Sequence, residues 1–209
     1  LVLTAIREGN PDVIVLLEVN ERWIQELASL RAGYPTAVLE PRDDNFGIAL
    51  FSRLPLQRTE ILELGEVPVP SIAAEVGWGG RVLRLLGTHP VPPGSAEYAG
   101  ERNRQLAAIA EWARTQSGPV VVAGDLNATP WSPYFRALLD AGRLSSAQPD
   151  WEWSPTWPSG LWPLRIPLDH CLVSSELAVQ RRWVGGGVGS DHFPLWVDLA
   201  WRGPEPVGR

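Results

Sequence analysis

Residues Val120-Val121-Val122-Ala123 make a short, β-branched run, introduced by Gly118-Pro119 and closed by Gly124-Asp125-Leu126-Asn127-Ala128-Thr129-Pro130. A run of that length between turn formers reads as a buried strand. At spacing two in extended backbone, Asp125 and Asn127 point to the same side. A carboxylate that can take a proton or hold a cation is therefore expected beside a carboxamide that can donate to an oxyanion. Gly124 is expected to loosen the backbone there. The plainer reading is an Asx turn closing the strand. The pattern recurs: Leu16-Leu17-Glu18-Val19 and Gly87-Thr88-His89-Pro90 end apolar runs, Pro167-Leu168-Asp169-His170 and Gly189-Ser190-Asp191-His192-Phe193-Pro194 begin strands, and acids and histidines thus recur at strand ends beside Gly or Pro. Such a chain is restricted to sheets whose strand ends gather on one rim, where loops carry function.

The rest of the chain reads as strands with helices inserted. Residues 1–9 have helical apolar spacing and stop at Gly9-Asn10-Pro11. Val13 to Leu17 is a fully apolar strand, and Asn20 caps a helix expected to reach about Arg31, with Trp23, Ile24, Leu27 and Leu30 on one face. Strands are expected near 35–40, 47–52, 56–63, 71–77 and 82–88, the last two joined by a hairpin at Gly77-Trp78-Gly79-Gly80. Ser95 opens a helix to about Gln116, buried through Leu106, Ile109, Ala110 and Ala113. Ser132-Pro133 reads as a cap and first-turn proline of a helix to Leu139. A loop over 145–166 carries Trp151, Trp153, Trp157 and Trp162, followed by strands near 168–173, 177–184 and 193–201 and a loose tail over 203–209. Strand dominance with interleaved helices suits an α+β fold of two packed sheets with outer helices, as one domain over 1–202.

With 209 residues, the chain is long enough for one sizeable core. It has no Lys, so every side-chain cation other than a charged His is Arg, and the net charge is −6. The basic stripe of a sequence-independent nucleic-acid binder is absent, which favours small substrates over long DNA. The single Cys171 lies in an apolar strand and reads as a packed thiol. One Cys and three scattered His give no tetrahedral zinc spacing.

Leu17-Glu18-Val19, Phe46-Gly47-Ile48-Ala49-Leu50-Phe51-Ser52-Arg53-Leu54-Pro55, Thr88-His89, Gly124-Asp125-Leu126-Asn127-Ala128-Thr129-Pro130 and Ser190-Asp191-His192 stand in one order along nearly the whole chain. In that order they resemble the endonuclease/exonuclease/phosphatase superfamily, which includes deoxyribonuclease I, exonuclease III and the neutral sphingomyelinases. The resemblance implies a deoxyribonuclease I-like sandwich of four layers, α/β/β/α, and a divalent-metal-dependent phosphoester hydrolase. It implies that Glu18 ligates Mg2+ (or Mn2+), with Asp191 near the metal. Asp125 orients or deprotonates the attacking water, Asn127 donates to the phosphoryl oxygen, and His192 acts on the phosphate with Asp169 orienting its ring. His89 matches a histidine of the deoxyribonuclease and sphingomyelinase branches that contacts phosphate or leaving group. From the residues alone, Arg102 and Asn103 open the long helix within reach of a substrate phosphate, or form a solvated face. His170 is expected to point to the opposite side of its strand from Asp169 and to be structural. Asp43-Asp44-Asn45 reads as a solvated loop. The tryptophan-rich loop either stacks a base or apolar group or covers one end of the sandwich.

The leading reading is a phosphodiesterase or nuclease-like enzyme. The alternatives are a phosphomonoesterase acting on a small phosphorylated compound or lipid headgroup, and a binding domain of the same fold without catalysis. The substrate phosphoester is thus a nucleic acid, a phospholipid headgroup or a small phosphorylated compound. The family has a first strand before the opening helix, ending in an asparagine near the metal, and this chain starts after it. A gap in one sheet is therefore expected, filled by a strand from elsewhere, by a neighbouring chain or by upstream residues. Similar bacterial chains with the Trp-Ser-Pro and Ile-Pro-Leu-Asp-His wording often follow N-terminal membrane helices. Membrane attachment through an upstream segment, with this domain outside the cytoplasm, fits that start; so does a simple boundary. Oligomeric state is left open.

Overall fold

The computed structural model describes residues 1–149 and 152–203. Trp151 and all of the tail after Gly203 lie outside the described residues. The elements run α1 (Val2–Gly9), β1 (Val13–Leu17), α2 (Glu21–Glu26), β2 (Thr36–Glu40), β3 (Ile48–Ser52), β4 (Leu56–Glu63), β5 (Pro70–Trp78), β6 (Arg81–Gly87), α3 (Ala96–Thr115), β7 (Val120–Asp125), α4 (Pro133–Gly142), β8 (Ser145–Ser146), β9 (Asp169–Val173), β10 (Leu177–Val184) and β11 (Leu195–Trp201).

Alternation along the strands builds four layers. On β7, Val120 and Val122 face α3 and α4, where Leu106, Ile109, Phe135 and Leu138 complete an outer core. Val121 on the same strand faces the opposite sheet, in a central core with Ile48, Leu50, Ile72, Val76 and Val173. Ala49 and Phe51 on β3 turn the other way, against Ile6, Leu27 and Leu30, as the second outer core. The order is helices, sheet, sheet, helices, the α+β deoxyribonuclease I-like arrangement.

One sheet is continuous, in the order β4-β5-β6-β7-β9-β8, with β6 and β7 parallel and joined by the crossover α3. The other is divided into β1-β3-β2 and β10-β11. Strand β1 lies over β7, and β11 lies over β9, which is the neighbour of β7. The two pieces therefore sit side by side, and β1 and β11 each have a free edge among the described residues. Both edges carry apolar side chains on the central core: Val13, Val15 and Leu17 from β1, Val197 and Leu199 from β11. Helix α1 bridges the pieces. Its Gly9 meets the Trp196 ring of β11 so closely that a Cβ there would lie 2.4 Å from it.

Three local expectations change. The helix from Asn20 stops at Glu26, and a 3-10 turn, Ala28–Ala32, replaces its second half. Leu27 and Leu30 nonetheless both reach the core, with Ile24 packed beside them. Helix α4 runs on to Gly142, with Arg143 as a left-handed cap, and Ser132 makes no side-chain capping bond; Pro133 supplies the start. The β5–β6 turn is the two-residue Gly79-Gly80, both at positive φ, so Trp78 belongs to β5 and pairs with Arg81.

Candidate active site

The site lies at the end of the sandwich where β1, β6, β7 and β9 finish or begin. Asp125 and Asp169 are directly opposed across β7 and β9. Opposed like charges are unfavourable, and here a histidine stands between them. His192 Nδ1 is 2.8 Å from Asp169 Oδ2, and its Nε2 is 3.7 Å from Asp125 Oδ2. Burial works against its charge, but the hydrogen bond to Asp169 and the neighbouring carboxylates outweigh it, so the His192 imidazole is pushed up to about 9 and is cationic at neutral pH. Burial first, and then the Asp169 charge, push the Asp125 carboxyl up to about 7.

His89 completes the cluster, with Nε2 3.7 Å from Asp125 Oδ2 and the ring beside Phe46. Burial drives it down to about 4, so it is neutral, and its Nδ1 is buried without a hydrogen-bond partner among the described residues. Backbone geometry brings it there. Thr88 N–H donates to Ala123 O, extending the β6–β7 pairing past Gly87, and Gly124 lets the Thr88 carbonyl come close: a Cβ on Gly124 would sit 1.9 Å from that oxygen, at φ +149. Gly124 therefore does not loosen the backbone; it permits a tight approach that fixes His89 beside Asp125.

Asp125 and Asn127 differ from the extended picture. Asn127 is left-handed (φ 48), and its N–H donates to Asp125 Oδ1 at 2.7 Å. The Asx turn is real, and it holds the carboxylate by one oxygen while the other faces the two histidines. Asn127 Nδ2 donates to Pro90 O at 2.9 Å, which uses one of its two amide hydrogens. Arg102 donates to the Asn127 carbonyl through a guanidinium nitrogen, and to Asn103 Oδ1 through Nε. The pair thus braces the turn from α3. His170 points away from the cluster, as its alternation predicts: its ring lies against Phe135, and Nε2–H donates to Ala128 O.

Glu18 follows β1 in a left-handed conformation (φ 59). Its carboxyl is raised by partial burial and next by the Asp191 charge, with His192 opposing. Among the described residues no three acidic, histidine or cysteine side chains converge closely enough to enclose a metal. Two mutually repelling carboxylates, one partly buried, remain the donor chemistry that a hard cation relieves, and a magnesium ion needs only one or two protein carboxylates because it keeps waters. The donor set fits such an ion.

Sequence reasoning missed two positioning groups in the tryptophan-rich segment. Trp157 Nε1–H donates to Asp191 Oδ2 at 3.1 Å, and its ring lies 6.3 Å from that of His192. The buried Thr156 hydroxyl accepts from Leu168 and Asp169 N–H, setting the start of β9. The available signal was Thr156-Trp157 shortly before Asp169; nothing in the sequence said which partners they would take.

A model of the Endonuclease/Exonuclease/phosphatase family matches residues 1–192. The chain belongs to that family. Enzymes of this family are hydrolases acting on phosphoesters and generally use divalent metals. A UPF0294 protein of Vibrio cholerae is 33% identical over 124 residues, 56% of this chain and 40% of that protein. The chain thus spans well under two thirds of the curated relatives it matches. Among solved structures, the family member from Bacteroides vulgatus superposes with a TM-score of 0.79 at 19% identity, covering 96% of this chain and 89% of that one. The 3′ phosphatase NExo from Neisseria, bound to a product DNA hairpin, gives 0.78 at 23% identity, covering 96% and 93%. The human nocturnin catalytic domain, holding a sulfate anion, gives 0.76 at 23%, covering 96% and 85%. At such identities the likeness is one of fold.

Proposed function

We propose that this chain is a divalent-metal-dependent phosphoester hydrolase, acting as a phosphodiesterase. The observation that carries the reading is the opposed Asp125–Asp169 pair with His192 between them and neutral His89 at the side. A carboxylate near 7 and an imidazolium near 9 are a base and an acid matched to neutral pH.

In this reading Asp125 takes the proton of the attacking water as its oxygen bonds to phosphorus. Asn127 donates its remaining amide hydrogen to the phosphoryl oxygen as charge builds there. His192, oriented by Asp169, contacts the phosphate and gives its Nε2 proton to the leaving oxygen as the P–O bond breaks. Asp125 Oδ2 lies 3.7 Å from that nitrogen, so the proton gained from water can pass back and reset both groups. His89, uncharged, contacts the phosphate or leaving group, and Arg102 and Asn103 bind substrate as well as bracing Asn127. Glu18 and Asp191 would hold Mg2+ or Mn2+, which neutralises phosphoryl oxygens and so assists displacement.

The test is a panel of plasmid, abasic duplex, sphingomyelin, inositol phosphates and a chromogenic diester, with magnesium or manganese and with chelator. Turnover is expected on a diester and is lost in chelator. Asp125→Asn keeps shape and should cost about 10²–10⁴-fold in turnover, with His192→Ala in the same range. Folded variants at wild-type rate, or full turnover in excess chelator, would remove these residues or the metal from the reaction.

A further inference from the structure

Six of the ten exposed large apolar side chains among the described residues fall in two neighbouring loops and the first turn of α4: Trp131, Tyr134, Trp153, Leu161, Trp162 and Leu164. Trp131 and Trp153 stack on each other, 5.8 Å apart and 8° from parallel, which joins the loop after Asn127 to the loop before Asp169. The second loop is strapped to the mouth of the site. Ser159 N–H donates to Asp191 O, Ser159 Oγ–H to Ser190 O, and Arg165 to Ser159 O. From these straps projects a short 3-10 turn, Trp162–Leu164, with Trp162 76% exposed and Leu161 and Leu164 58% and 65%. An apolar cluster of this size on a surface marks something it binds.

Charge decides among occupants. A fifth of the chain is charged, yet no Asp, Glu, Arg or His occurs from Trp153 to Leu164 or from Leu126 to Phe135. A nucleic-acid surface would need cations there to meet phosphates. Leucines beside the tryptophan have no π face on which a base can stack. Tryptophan with leucine on an uncharged tip is the composition that enters the boundary between headgroups and acyl chains. A net charge of −6 without lysine repels an anionic surface and is indifferent to a zwitterionic one. No helix among the described residues is long and apolar enough to cross a membrane.

We propose that Trp131, Trp153 and the Leu161–Leu164 tip dock the mouth of the site onto a zwitterionic phospholipid surface. Docking presents headgroup phosphoesters to the Asp125–His192 cluster, so the substrate class is a phospholipid headgroup. That last step rests on the hydrolase reading above; the docking does not.

The experiment mixes the chain with phosphatidylcholine vesicles and reads co-sedimentation and tryptophan emission. Binding with a blue shift is expected, and Trp162→Ala combined with Leu164→Ser should lower the bound fraction about tenfold or more, while turnover of a soluble chromogenic diester stays unchanged. Vesicle binding by a chain inactive on every phosphoester would leave docking standing and bring down the hydrolase reading. Absence of vesicle binding, or equal binding by the double variant, overturns the docking. Emission quenched by a single-stranded oligonucleotide but unmoved by vesicles overturns it in favour of base stacking.

Discussion

Gly124 shows how one missing side chain can set a site. Its backbone lets the Thr88 carbonyl into space a Cβ would fill, at 1.9 Å, and so carries His89 to Asp125. Gly124→Ala must push the β6 and β7 ends apart or strain a positive φ. Overpacking of this kind costs about 1–3 kcal/mol. The variant should melt lower than wild type and lose turnover through His89 displacement, both read on one purified sample; an unchanged melting point with full turnover would show that the close approach is not needed. The sequence did bring forward the polar groups that the fold gathers at one end of the sandwich, because Glu18, His89, Asp125, Asp169 and His192 stand at strand ends where bland turn formers would have sufficed. It could not announce what Gly124 was for, since a close approach depends on a strand distant in sequence. Trp157 and Thr156 were hidden for the same reason: their partners, Asp191 and Asp169, are brought to them by tertiary structure.

At the level of elements, continuous apolar runs revealed the strands that pack on both sides. β3 is the clearest case, with Ile48 and Leu50 facing one core and Ala49 and Phe51 facing another. Periodicity served less well for element type: the apolar face from Trp23 to Leu30 is as read, but its second half is a 3-10 turn and not α-helix. The gap expected in one sheet corresponds to the free edges of β1 and β11. Alternate N–H groups of β1 point into that gap with no strand opposite among the described residues, whereas both sides of β3 are paired, by β1 and β2. Native-state hydrogen exchange should therefore be fast at alternate residues of Val13–Leu17 and slow throughout Ile48–Ser52. A strand placed between β1 and β11, from this chain or another, should slow those amides and raise the melting temperature together. Uniformly slow exchange along β1 would mean that its edge is already covered.

For the whole molecule, the histidines make stability depend on pH from both sides. His192 is raised to about 9, so its contribution is complete below the unfolded value of 6.5 and is lost as pH rises through 9. The native state holds one more proton than the unfolded chain across that window. Buried His89 and His170 are lowered to about 4, so theirs is present above 6.5 and is lost as pH falls toward 4. Asp125, raised to about 7, opposes them by one proton on that limb. Denaturation midpoints should therefore peak near neutrality. His192→Gln should flatten the alkaline limb and His170→Gln the acid one, and limbs unchanged in both variants would assign the titrations to other groups. The cluster that sets this profile is drawn from Glu18 at one end of the fold and His192 at the other, with Asp125 and Asp169 from the middle. Closing so long a loop is slow and comes late. A nascent chain can assemble β4 to β9 with its outer helices on the ribosome and still have no site. The convergence of these side chains is thus the last arrangement the domain acquires during synthesis, and the first it forfeits to a single proteolytic cut that frees either end.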